Sequence, residues 1–113
     1  MMLKFKLLKL HCYLSDESEA DEVFLKYNQN KIWPQDAKYT QMSSEEQSIN
    51  LDLPEVEIDT MLELELWDHD TWTPNDKLGI FRMIVDAKGG PFVSDLVREK
   101  GSGAKYSLEW EVD

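Results

Sequence analysis

The chain has 113 residues, 42% of them hydrophobic, with four Trp, four Tyr and four Phe, which excludes a disordered polymer and bounds the fold to one domain over residues 1–113. Its 12 Lys and Arg stand against 23 Asp and Glu, a formal charge of −11. That deficit argues against nucleic-acid binding, which needs a cationic surplus at phosphates, and against simple attachment to an acidic membrane unless bound cations reverse the local field.

Leu3, Phe5 and Leu7 alternate with Lys4 and Lys6, and then the phase jumps so that Leu8, Leu10, Cys12 and Leu14 alternate with Lys9, His11 and Tyr13. A strand that swaps faces carries a bulge or bends between sheets. An acidic loop at 15–22 leads to a second strand through Val23, Leu25 and Tyr27, closed by the turn Asn28-Gln29-Asn30. Pro34 places Ile32 and Trp33 at an edge or in a loop, with Trp33 covering that edge. A short strand is expected between Ala37 and Met42, then a turn at 43–46. A fourth strand through Ile49, Leu51 and Leu53 is expected to end at Pro54.

Met61 to Leu66 alternates apolar with acidic residues and reads as a half-buried strand, and another runs from about Leu78 to Val85 with a phase change near Phe81. Lys88 to Pro91 reads as a turn. The spacings Phe92/Leu96 and Val93/Val97 fit one or two helical turns between Phe92 and Lys100, with a short strand as the alternative. Tyr106, Leu108, Trp110 and Val112 alternate with polar residues in a last strand. The expectation is an all-β chain, an eight-stranded antiparallel β-sandwich with one short helix or turn near the C-terminus.

The single cysteine, Cys12, fits a reducing compartment and a buried apolar role. Lys4, Lys6 and Lys9 interrupt the first leucines, so the N-terminus does not read as a signal peptide. No transmembrane segment is expected. The location expected is cytoplasmic, peripheral to a membrane if the protein docks to one.

Between the strands ending at Leu66 and beginning at Leu78 lies Trp67-Asp68-His69-Asp70-Thr71-Trp72-Thr73-Pro74-Asn75-Asp76-Lys77. Carboxylates this close repel one another unless a cation sits among them, and an oxygen-only donor set suits calcium. Alternate residues of an extended segment point the same way, so Asp68 and Asp70 project together while Asp76 returns from the far side. An acidic, solvated hairpin loop is the plain alternative. An EF-hand is excluded, because counting from Asp68 its glycine position is Thr73 and its glutamate position is Gly79.

This stretch resembles the third binding loop of the C2 domain family: two aspartates at alternate positions, a third six residues on, and the Leu78-Gly79 pair opening the next strand. The segment from Ala20 to Tyr27 is similar to the family's Ser-Asp-Pro-Tyr-Val-Lys strand, which puts Asp21 on a first-loop ligand position. The family's other first-loop aspartate falls at Ser15, with Asp16 beside it. The resemblance covers nearly the whole chain and implies the permuted second C2 topology, with calcium held by Asp68, Asp70, Asp76, Asp21 and Asp16.

It also implies a non-catalytic module that docks to an anionic phospholipid or a partner protein through its loop tips. Trp72 at the loop apex reads either as a contact with a membrane or partner or as a cover over the sandwich end. Lys31 and Lys38 are the best basic contacts, while Trp67 and Trp110 read as packing residues. His11 and Cys12, adjacent in a strand, face opposite sides and form no catalytic pair. Neither a phosphate loop nor a Ser/His/Asp order marks an enzyme. The alternative function is a metal-free C2-like adaptor or assembly subunit acting through protein–protein contacts.

Overall fold

A computed structural model describes residues 1–17 and 19–113 of the chain. The described residues form ten strands: β1 (Met2–Leu14), β2 (Asp21–Tyr27), β3 (Asn30–Trp33), β4 (Thr40–Met42), β5 (Glu46–Glu57), β6 (Thr60–Asp68), β7 (Asp76–Val85), β8 (Gly89–Asp95), β9 (Val97–Arg98) and β10 (Lys105–Val112). They make two antiparallel sheets. One has the order β5-β1-β10-β8; the other has the order β3-β2-β6-β7-β9, with β4 also paired to β2. The all-β sandwich is as expected, with ten strands instead of eight. The additions are short: β9 has two residues and β3 four, while β4 falls within the short strand expected between Ala37 and Met42.

The apolar halves of the alternating strands meet between the sheets. Leu3, Phe5, Leu7, Leu10 and Cys12 from β1 pack in one core cluster with Leu62, Leu64 and Leu66 from β6 and with Phe81 and Met83 from β7. The phase jump in β1 is a bulge at Leu8, where the register slips between Leu7 and Lys9 against both β10 and β5. That one extra residue lets Leu7 and Leu10 both face inward. The β2–β3 hairpin turns through Asn28 and Gln29 at φ 50° and 68°, the paired positive angles that match strand twist in a two-residue turn.

Two expectations are corrected. The helical turns at 92–100 are strands β8 and β9. Phe92 pairs with Trp110 in register, the two rings sit 4.8 Å apart, and Ser94 Oγ accepts a hydrogen bond from Trp110 Nε1 at 3.0 Å. A partner strand distant in sequence overrides the local spacing. Pro54 does not end its strand, because β5 lies at the edge of its sheet. It falls where the β1 register slips between Leu3 and Phe5, a place where a missing N–H costs no ladder bond.

Candidate functional site

Residues 15–17 and 19–20, before β2, and the loop at 69–75 meet at one end of the sandwich because β2 starts where β6 stops. Val23 pairs with Asp68, and His69 N donates to Glu22 O at 2.7 Å. The segment 99–104 closes the same end through Gly103 N, which donates to Asp16 Oδ1 at 2.6 Å.

The five acids picked out from sequence divide into three places. Asp21 is 0% exposed, and its carboxylate accepts hydrogen bonds from Asp16 N, Glu17 N and the Tyr106 hydroxyl, the last at 2.6 Å. Asp68, at 4% exposure, accepts from Glu22 N at 2.8 Å. Burial pushes the Asp68 carboxyl up to about 7 against the pull of that N–H, helped by a hydrogen bond shared with Glu17 and by the charges of Asp21 and Glu17. Asp21 and Asp68 are thus buried near one another, with the exposed Glu17 at their edge.

Asp16 and Asp76 line a cleft of about 210 Å³ together with Lys77, Lys100 and Ser102. Asp76 lies opposite Asp68 in the β6–β7 register, yet it faces solvent while Asp68 is buried. Asp70 stands apart, in its own turn. Its Oδ1 accepts from Trp72 N at 3.1 Å, and Asn75 Oδ1 closes the loop by accepting from Asp70 N at 2.8 Å. The Thr73 side chain and the Trp72 N–H hold the Asp70 carboxyl below its ordinary value.

Among the described residues no three His, Cys, Asp or Glu side chains gather closely enough to hold a metal ion with the loops in this arrangement. The donor chemistry itself suits a hard divalent cation, since carboxylate oxygens at a loop end can accept more than the hydrogen bonds they already hold. Among the described residues neither Asp21 nor Asp68 takes part in an ion pair.

Trp72 is 91% exposed at the apex of the 69–75 loop. Trp67 packs on the outer face of its sheet, stacked on Phe24 at 6.4 Å and covered by Lys26 Nζ at 4.5 Å. Trp33 and Trp110 lie in the core. Lys31 Nζ donates to the carbonyls of Pro34 and Ala37, so it braces its own loop. Lys38 is exposed, and both lysines border a shallow hollow of about 300 Å³ beside Phe24, His69 and Asn75. His69 stacks on Tyr39 at 5.1 Å.

Two residues of this end escaped the sequence reading. In the sequence Glu17 is one acid in an acidic loop, and Tyr106 is one of four alternating residues of the last strand. A buried tyrosine needs a partner for its hydroxyl, which is the signal that Tyr106 offered.

No protein-family model matches the chain. No curated protein matches it either. Among solved structures the chain is similar to one described as "Structure of a C2 domain", at 18% sequence identity and a TM-score of 0.49, covering 100% of this chain and 98% of that one.

Proposed function

We propose that the chain is a non-catalytic, calcium-binding C2-like module that docks through its loop end to an anionic phospholipid surface or a partner protein. The observation that carries this reading is Asp68, buried beside Asp21 and Glu17 and pushed up to about 7. A carboxylate held in that state is short of a positive charge, and a calcium ion at Asp21 and Asp68 supplies one. Asp70 and Asp16 on the two loops and Asp76 at the start of β7 are the remaining protein donors in this reading, with backbone carbonyls and water completing the set. Neutralising this corner of a −11 chain lets exposed Trp72 and Lys38 approach a negative surface.

Calorimetric calcium titration of the wild type beside Asp68→Asn and Asp70→Asn tests the reading. The expected result is a saturable isotherm for the wild type, lost in Asp68→Asn and weakened in Asp70→Asn. No isotherm, together with the same melting midpoint in millimolar calcium and in chelator, overturns it.

The second reading, a metal-free adaptor, is favoured by the hydrogen bonds that Asp16, Asp21 and Asp70 already make within their loops. Lys100, in the cleft with Asp16 and Asp76, also offers a built-in countercharge. Under that reading, docking in chelator equals docking in calcium.

A further inference from the structure

A cavity of about 380 Å³ lies away from the acids of the loop end. It opens between the end of β1, the bend joining β8 to β9, and the start of β10, and its walls include Tyr13, Asp95, Leu96, Arg98, Ala104 and Lys105. We propose that this cavity is a binding site for a small phosphomonoester carried on an apolar or aromatic body.

The charge pattern comes first. In a chain with 12 cations against 23 acids, the span 98–105 holds Arg98, Lys100 and Lys105. Its one acid, Glu99, is held by Lys77 at 3.3 Å. Among the described residues neither Arg98 nor Lys105 takes part in an ion pair. Two cations that answer no internal carboxylate, on the wall of one cavity, are suited to a ligand's negative group. The planar fork of an arginine matches a phosphoryl oxygen pair, and a lysine adds a point charge.

The second element is rigidity. Arg98 sits on β9, paired to β7 at Gly79, and Lys105 starts β10, paired to Leu14. The bend between β8 and β9 is pinned by Leu96 N donating to Tyr106 O at 3.0 Å. Sites built on paired strands hold their geometry better than sites on free loops. The third is the mixed lining: Tyr13, Leu96 and Ala104 supply apolar surface for the ligand's body, and the volume falls at the small end of ligand cavities, about 300–1,000 Å³. Asp95 on the wall disfavours a ligand with a second negative group.

None of the acids assigned to calcium lines this cavity, so the two ideas fail separately. The test is a titration of the full chain, in chelator, with phenyl phosphate, followed by amide chemical shifts. Saturable shifts are expected at Leu96, Arg98, Ala104 and Lys105, at least about tenfold weaker in Arg98→Gln/Lys105→Gln, since charge-assisted bonds are the ones removed. Asp95→Asn should bind more tightly than wild type, and inorganic phosphate more weakly than phenyl phosphate at the same amides. Shifts that never saturate, that centre on Lys31 and Lys38, or that persist undiminished in the double variant overturn the proposal. Both substituted side chains are exposed, so the variant's remaining amide spectrum reports directly that it has folded.

Discussion

The Tyr106 hydroxyl donates to the Asp21 carboxylate at 2.6 Å inside the sandwich end, joining the start of the last strand to the start of the second. With the N–H groups of Asp16 and Glu17 on the same carboxylate, Asp21 holds these two residues from a fully buried position. Burial and the neighbouring Asp21 charge keep the Tyr106 phenol well above its ordinary value, so it stays a donor across the working pH range.

Tyr106→Phe keeps the ring and removes the donor. A buried charged acceptor then loses one of its partners, a loss of about 1–3 kcal/mol. Urea unfolding should show a lower midpoint with an unchanged slope, because the exposed area on unfolding hardly changes. An unaltered midpoint would mean that the two backbone N–H groups suffice for Asp21.

Much of this architecture is legible in the alternation of β1, β6 and β10, because each buries one face and leaves the other in water. The bulge at Leu8 was equally readable, as a phase jump. What stayed hidden depends on distant partners. Phe92 and Val93 carry helix-like spacing and become strand only because Trp110 lies alongside. Pro54 is tolerated only because β5 has one neighbour. At the loop end, Asp68 and Asp70 alternate as the pattern requires, yet Asp68 is buried at the strand's last residue while Asp70 turns back on its own loop. Burial at a strand end is set by the loop that covers it, and sequence spacing does not encode that.

The titration of Asp68 gives a stability signature with a definite sign. A free aspartate titrates near 3.8, and here the group is pushed up to about 7. Between those values the folded state keeps a proton that the unfolded chain has lost, so this group's contribution to stability falls as pH rises through the window. The slope is at most about 1.4 kcal/mol per pH unit. In chelator, the stability difference between wild type and Asp68→Asn should therefore favour the wild type more at about pH 5 than at about pH 7.5. Urea melts at the two pH values measure it, and saturating calcium should shrink the gap. A difference that grows in the opposite direction would place Asp68 in contact with a cation-like partner already.

Trp72 tests docking apart from folding. At 91% exposure it contributes little to the core, so Trp72→Ala should leave stability within about 0.5 kcal/mol of wild type. Burying a large apolar side chain at a lipid interface is worth roughly 1.5–3 kcal/mol, so vesicle affinity should fall about tenfold or more. Co-sedimentation with vesicles containing phosphatidylserine, in calcium and in chelator, reads both effects. Equal binding by variant and wild type would move the docking surface off the loop apex.

Gly79 controls how the segment after β8 lies over the loop end. A Cβ there would stand 2.3 Å from Val97 O and 2.9 Å from Leu96 Cγ. The first of these is backbone, which cannot swing aside, so Gly79→Ala must push β9 off β7. Two contacts depend on that pairing: Arg98 opposite Gly79, and Glu99 N donating to Leu78 O at 3.0 Å. Overpacking of this kind costs about 1–3 kcal/mol, and the damage should be local, since β6–β7 pairing runs on the other edge of β7. Hydrogen exchange should show lost protection at Glu99 with the Phe81 and Met83 amides still protected. Because Arg98 moves with β9, phenyl phosphate binding should weaken in the same variant while calcium binding at Asp21 and Asp68 survives. Weakening of both together would mean that β9 also fixes the acidic corner, and that the two ends of this surface act as one unit.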